Sequence, residues 1–177
     1  KRSRRPARRV LARGRSATTG DAHFPQFFAV GVSFQPTTNW NFEFDVDWTD
    51  WDSLNQVVFQ RADTVAVPFV FNYTSSLMYE FGVTRQLGRG WFVSVGYIYS
   101  ENSSPDADFS PFVPDDNLHV GSVGVGHRGK RWDWAVGYHF AYNGKRIVTG
   151  SNSPYGLANG TYETFNNGIN IAGTFKF

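Results

Sequence analysis

Between Trp40 and Trp51 the stretch WNFEFDVDWTDW sets three carboxylates, Glu43, Asp45 and Asp47, at every second position. In an extended chain residues two apart share a face, so the three stand in a row. Paired carboxylates can act as general acid and base, and a cluster of them can hold a hard cation. The competing reading is a solvated polar wall on one side of a sheet. The surroundings favour that wall, with Glu80 of a later segment facing the same way. His23, His119, His127 and His139 lack the spacing of metal ligands, and there is no cysteine for a thiolate site. GSVGVG (121–126) follows no strand-to-helix pattern, so a phosphate loop is not expected. No Ser–His–acid constellation stands out. The expectation is a protein without catalytic residues, metal or cofactor, and not an enzyme.

A second group of residues suits a different chemistry. Phe59, Phe69, Phe71, Phe109 and Phe112 fall in the long connections, with the cations Arg61, Lys145 and Arg146 near them. Aromatic walls with a few convergent cations fit an amphipathic ligand that carries a carboxylate. The same aromatics could instead pack the loops onto one another, and the sequence leaves both readings open.

These groups need elements to hold them. Aromatics form 18 % of the chain and glycines number 18, a mix that favours strands and turns. Alternation predicts strands at about 27–36, 40–61, 76–87, 91–101, 118–128, 132–147 and 163–177. The segment from Trp40 is expected to slip phase near Asp50–Trp51, as at a bulge. Pattern at 118–128 is diluted by Gly and His. In the segment from Trp132, the residues Trp134, Val136, Tyr138, Phe140 and Tyr142 oppose Asp133, Ala135, Gly137, His139 and Ala141.

Each strand therefore has an apolar face and a polar one, and alternation alone does not say which is wet. Three features decide for an apolar face in lipid. The connections alternate short and long, as in up-and-down outer-membrane barrels. Trp40, Trp91 and Trp132 each open a strand after a short turn, and Trp48, Tyr99 and Tyr142 mark the far ends. From Trp40 to Trp48 the chain extends about 26 Å. Tilted as barrel strands are, that covers roughly 20 Å of the membrane normal, near the apolar band of about 25 Å between aromatic girdles. The third feature is that the polar face is rich in Gly, Ala and Ser as well as acid, which suits a lumen. No run of 18 apolar residues exists, so no transmembrane helix is expected. A soluble lipid-binding β-protein remains the alternative for a chain of this pattern.

The expected fold is thus all-β, an antiparallel transmembrane barrel, with outer-membrane lipid as its surroundings. The chain closes on Phe175 and Phe177. A terminal aromatic of this kind is the signal that barrel-assembly machinery reads, which makes that machinery an expected partner. Seven strands are odd in number, whereas single-chain bacterial barrels have even numbers. The expectation is a piece of a longer barrel. Splitting the Trp40 segment at Asp50 would give eight strands and a small complete barrel, an anchor or adhesin.

Charge is divided along the chain. Residues 1–16 hold eight of the 17 Lys and Arg and no acid, and the remainder carries a net −6. A basic tail can serve nucleic acid or an anionic membrane. No nucleic-acid partner is expected here: residues 1–23 are read as a disordered tail, a truncation, cloning or misread-frame product, ahead of a body at 24–177.

Residues 24–177 resemble the C-terminal half of the FadL-like outer-membrane transporters (OmpP1/FadL/TodX). The resemblance lies in FPQFFAVGVSFQPTTNWNFEFDVDWTDWDSL, in YEFGVTRQLGRGWFVSVGYIY, in SSPDADFSPFVPDDNLHVGSVGVGHR and in the closing hairpin from WDWAVGYHFAYNGKRI to the end. Leu118 and Met78 stand where that family often carries Arg, so the resemblance implies contacts to a ligand carboxylate or to a plug that differ in kind from the family's. The resemblance implies a 14-stranded barrel, of which about seven strands lie here, plugged by an N-terminal hatch. It implies passive uptake of long-chain fatty acids or other hydrophobic compounds across the outer membrane of a Gram-negative bacterium.

Overall fold

The computed structural model describes residues 18–61, 66–152 and 158–177. Among these described residues ten strands run in chain order: β1 (Thr18–Asp21), β2 (Phe27–Thr37), β3 (Trp40–Thr49), β4 (Gln56–Arg61), β5 (Val67–Val70), β6 (Ser76–Gly88), β7 (Trp91–Ser100), β8 (Leu118–Arg128), β9 (Trp132–Val148) and β10 (Gly160–Phe175). Seven of them form one antiparallel sheet in the order β10-β9-β8-β7-β6-β3-β2. All seven strands expected from alternation are present, including the Gly-diluted β8, which spans 118–128 as expected. β10 begins at Gly160, three residues earlier than expected.

Two expectations need correction. The segment from Trp40 is not one bulged strand. β3 stops at Thr49, a short 3-10 turn occupies Trp51–Ser53, and β4 leaves the main sheet. β4 pairs instead with β1 and β5 in a separate three-stranded sheet. The split at Asp50 therefore adds no eighth strand to the main sheet. Residues 18–21, assigned above to the tail, form β1 beside β4.

The short connections are tight. Between β6 and β7, Gly88, Arg89 and Gly90 all have positive φ (86°, 50° and 86°), a geometry glycine enters at no steric cost. Register then aligns the side chains in rows across the sheet. One row runs Val32, Phe44, Phe81, Tyr97, Gly121, Phe140, Asn167 and another Phe34, Phe42, Val83, Val95, Val123, Tyr138, Ile169. Toward the long-loop end stands a row of Val30, Val46, Tyr79, Tyr99, His119, Tyr142 and Phe165. There the Tyr97 hydroxyl lies 2.7 Å from His119 Nδ1, which gives the ring a polar partner at the girdle.

This apolar face is bare. Ile171 is 80 % exposed, Val32 66 % and Phe34 64 %. Among the described residues the buried apolar side chains are Phe109, Val148 and Ala158, and none of them lies beneath the middle of the sheet. A water-soluble sheet would cover such a face, since contiguous exposed apolar patches of this extent mark a membrane or partner surface. The edge strands β2 and β10 are each paired on one side only within the sheet, and they run in the same direction because six antiparallel pairings separate them.

Small residues on the opposite face let long side chains lie flat across neighbours. A Cβ at Gly126 would stand 2.4 Å from Phe92 Cζ and 2.7 Å from the Trp134 carbonyl oxygen, whereas at Gly82 the nearest atom is 3.6 Å away. Gly126→Ala is expected to destabilise the folded barrel by about 1–3 kcal/mol through overpacking. Gly82→Ala should stay within about 0.5 kcal/mol, the range of ordinary surface changes. Urea midpoints in lipid vesicles measure the difference, and equal midpoints would refute this packing.

Candidate functional site

The polar face and the long-loop end hold the groups that the sequence singled out. On the polar face, Asp45 is directly opposite Glu80, Glu43 is opposite Gly82 and Asp47 opposite Met78. Gly31, on the other side, faces Asp45. Asn41 donates through Nδ2 to Glu43 Oε1 (2.8 Å) and accepts from Ser33 Oγ (2.8 Å). The acids thus sit among small and amide groups, as a hydrated wall does. Among the described residues no group of three or more His, Cys, Asp or Glu is placed to hold a metal ion. Further along the same face is a concavity of about 510 Å³, with Ser94, Ile98, Val120, Ser122, His139 and Asn170 in its lining.

At the other end the long connections interlock. Thr74 N–H donates to the Ser103 carbonyl (2.8 Å), Asn72 Nδ2 to Asp108 Oδ2 (2.9 Å), and Asn152 N–H to the Ala107 carbonyl (2.8 Å). Residues 72–74, 101–117 and 151–152 are thereby tied into one cap. Asp115 accepts from both Ser103 N–H (2.8 Å) and Ser103 Oγ (2.9 Å), closing the 101–117 loop on itself. Within the cap, Tyr73 has its phenol raised above the usual range, first by burial and then by the charge of Asp115.

Arg146 is the centre of this cap. Its side chain is 8 % exposed. Nε and Nη2 reach Asp106 Oδ1 at 3.2 and 2.7 Å, Nη1 reaches Asn102 Oδ1 at 3.1 Å, and Nη2 reaches the Ser104 carbonyl at 2.6 Å. Nη1 also donates to the Asp115 carbonyl. The guanidinium lies 4.7 Å over the Phe109 ring, and the Tyr162 ring packs on the same ring at 4.6 Å in a tilted arrangement. Strict alternation from Tyr142 would put Arg146 on the apolar face. A register shift prevents this: four residues of β9, Asn143 to Arg146, oppose three of β10, Tyr162 to Thr164. Such a bulge exchanges the two faces beyond it.

The other candidate ligand residues are spread over separate places. Phe109 is buried (1 %) against Arg146, so these two do meet. Phe59 and Phe69 meet edge to face at 5.3 Å on the small sheet. Phe71 packs on Tyr73 (5.3 Å), which in turn meets Trp51 (6.1 Å). Phe112 stands 89 % exposed, and Lys145 is exposed with no carboxylate within 4 Å among the described residues. The Arg61 backbone pairs with Thr18, while its side chain lies outside the described residues. Sequence reasoning missed Asn102, Ser104, Asp106 and Asp115 as the partners of Arg146. The signal available was the density of Asn, Ser and Asp in 102–117 against one isolated Arg at the end of a long strand.

Comparison with known proteins accords with this geometry. A family model described as outer membrane protein transport protein (OMPP1/FadL/TodX) matches residues 11–164. Among solved structures, the crystal structure of a Pseudomonas aeruginosa FadL homologue superposes with a TM-score of 0.67 at 16 % identity over 84 % of the chain. At that identity the likeness is one of fold, and the chain spans 33 % of that protein's length. No curated protein matches. The family match covers most of the sequence and the sheet has the barrel's architecture: the chain belongs to the OMPP1/FadL/TodX family of outer membrane transport proteins, β-barrels of the Gram-negative outer membrane.

Proposed function

We propose that this chain is part of a channel for passive uptake of long-chain fatty acids or similar hydrophobic compounds, and performs no chemistry on them. The observation that carries the reading is the two-faced sheet of a FadL-family protein, with a bare apolar face on one side and an acidic, small-residue face on the other. Residues 24–177 would supply the C-terminal half of the barrel. Parity supports this. β2 and β10 run in the same direction, so an all-antiparallel closure needs an odd number of further strands between them. Phe177, fully exposed after the last strand, would be the residue offered to barrel-assembly machinery.

In this reading the loop cap faces the cell exterior and receives the ligand. Lys145 and Phe112 are an exposed cation and the most exposed of the candidate aromatics, suited to a carboxylate and an acyl chain. Arg146 and Phe109, already engaged with each other and with the 101–117 loop, hold the cap in shape. The test is uptake of radiolabelled oleate by cells that rely on the complete barrel carrying this chain. Lys145→Glu is expected to slow oleate uptake by about two- to fivefold, the range of an exposed charge contact. Uptake of a neutral alkane should be unchanged. Equal loss for both substrates would refute a carboxylate contact at Lys145, and absence of uptake by the wild type would refute transport itself.

A further inference from the structure

The cations of the barrel body are not spread evenly. Arg85, Arg89, Arg128, Lys130, Arg131 and Lys176 all lie at the short-turn end, while carboxylates dominate the long-loop end. Among the described residues Asp133 is the acid of the short-turn end, and it is bound by Lys176 Nζ at 2.8 Å. Arg128 shares that polar-face row with Asp133 and lies 5.0 Å over the Phe92 ring. Four cations remain: Arg85, Arg89, Lys130 and Arg131. All are exposed, and none has a carboxylate within 4 Å among the described residues.

Their placement names the medium they meet. Arg85 belongs to the apolar face, in the row of Trp40, Val93, Val125 and Val136. Its guanidinium stacks 5.0 Å from the Trp40 ring, at the girdle where the apolar face ends. A cation so held lies at headgroup level, with its stem along lipid-facing surface. Arg89 is in the adjacent turn, and Lys130 and Arg131 are in the next, joined to it by Arg128 N–H donating to the Gly90 carbonyl at 2.8 Å. In a bacterial barrel this end is periplasmic.

We propose that Arg85, Arg89, Lys130 and Arg131 form a docking rim for anionic phospholipid headgroups, such as phosphatidylglycerol, in the periplasmic leaflet of the outer membrane. Charge complementarity and the position of Arg85 on the lipid side of the girdle favour a lipid phosphate over a soluble anion. The rim orients the barrel by its turn end, opposite to the acidic loop cap.

The complete barrel carrying this chain, refolded into phosphatidylcholine vesicles, provides the test. Tryptophan quenching by chain-brominated phosphatidylglycerol is compared with quenching by brominated phosphatidylcholine. The wild type is expected to favour phosphatidylglycerol about fivefold, the effect of one fully engaged cation. Arg85→Gln/Arg131→Gln should bring the ratio to about one, and excess inorganic phosphate should leave the wild-type ratio unchanged. Heat-modifiable gel mobility confirms that each protein is folded. Should the double variant fail to fold, Arg89→Gln in the exposed turn replaces it. Equal quenching by both lipids in the folded wild type would overturn the proposal and leave the rim to an acidic periplasmic protein. Loss of the preference on adding phosphate, or its persistence in the variants, would overturn it as well. A wild type that does not insert at all would speak against the barrel and not against the rim.

Discussion

Phe44→Arg is expected to abolish insertion of the barrel into lipid. Phe44 lies midway between Trp40 and Trp48 on the apolar face, flanked by Val32 and Phe81. An arginine on the lipid face at the midplane costs about 2–4 kcal/mol. The lost phenyl burial adds about 1.5–3 kcal/mol. Together these approach the whole stability of an ordinary domain, about 5–15 kcal/mol. Asp45→Asn, one residue away, should be tolerated or slightly favourable, because it relieves a carboxylate placed directly opposite Glu80. The readout is the fraction of protein with heat-modifiable mobility after refolding into vesicles. Normal folding of Phe44→Arg together with failure of Asp45→Asn would mean that the acidic face meets the lipid.

The second large effect is expected at Arg146. Substitution by Met keeps much of the stem but removes the donors to Asp106, Asn102, Ser104 and Asp115. Hydrogen bonds from a charged donor contribute about 1.5–3 kcal/mol each, and buried carbonyls left unpaired add to the loss. Asp106 is half exposed and can recover water, which limits the total. Local stability of the cap should fall by roughly 2–4 kcal/mol. Amide hydrogen exchange in residues 102–115 should accelerate by about 30- to 1000-fold, while β6 and β7 keep their protection. Unchanged exchange in that loop would show that the Phe109–Tyr162 contact holds the cap without the guanidinium.

Much of the sheet was legible because its physics is local. Period-two alternation fixes a strand and its faces without knowledge of the partner. The pairing that completed β8 was legible only through its neighbours, since Gly121, Gly124 and Gly126 have no side chain to carry the pattern. What escaped the sequence was non-local. The slip at Asp50–Trp51 looks the same whether a strand bulges or departs, and the departure is fixed by β4 pairing with β1 and β5. Thr18–Asp21 is polar and short, and becomes a strand only because β4 offers it an edge. The bulge before Arg146 exchanges faces through one extra residue, which alternation alone does not reveal. For the candidate site, the acidic row could be placed from spacing, whereas the division of the loop aromatics into separate clusters depends on how the cap ties together.

The central claim is that the aromatic side of this sheet meets lipid and the acidic side meets water. Because the chain has no cysteine, single cysteines can be placed from Glu43 to Trp48 without interference. Each is spin-labelled in the folded barrel in vesicles, and collision with membrane-dissolved oxygen is compared with collision with a water-soluble nickel chelate. Oxygen contact is predicted to peak at Phe44, Val46 and Trp48, and nickel contact at Glu43, Asp45 and Asp47, with a period of two residues. Nickel contact at Phe44 and Val46 with oxygen contact at Asp45 would contradict the account.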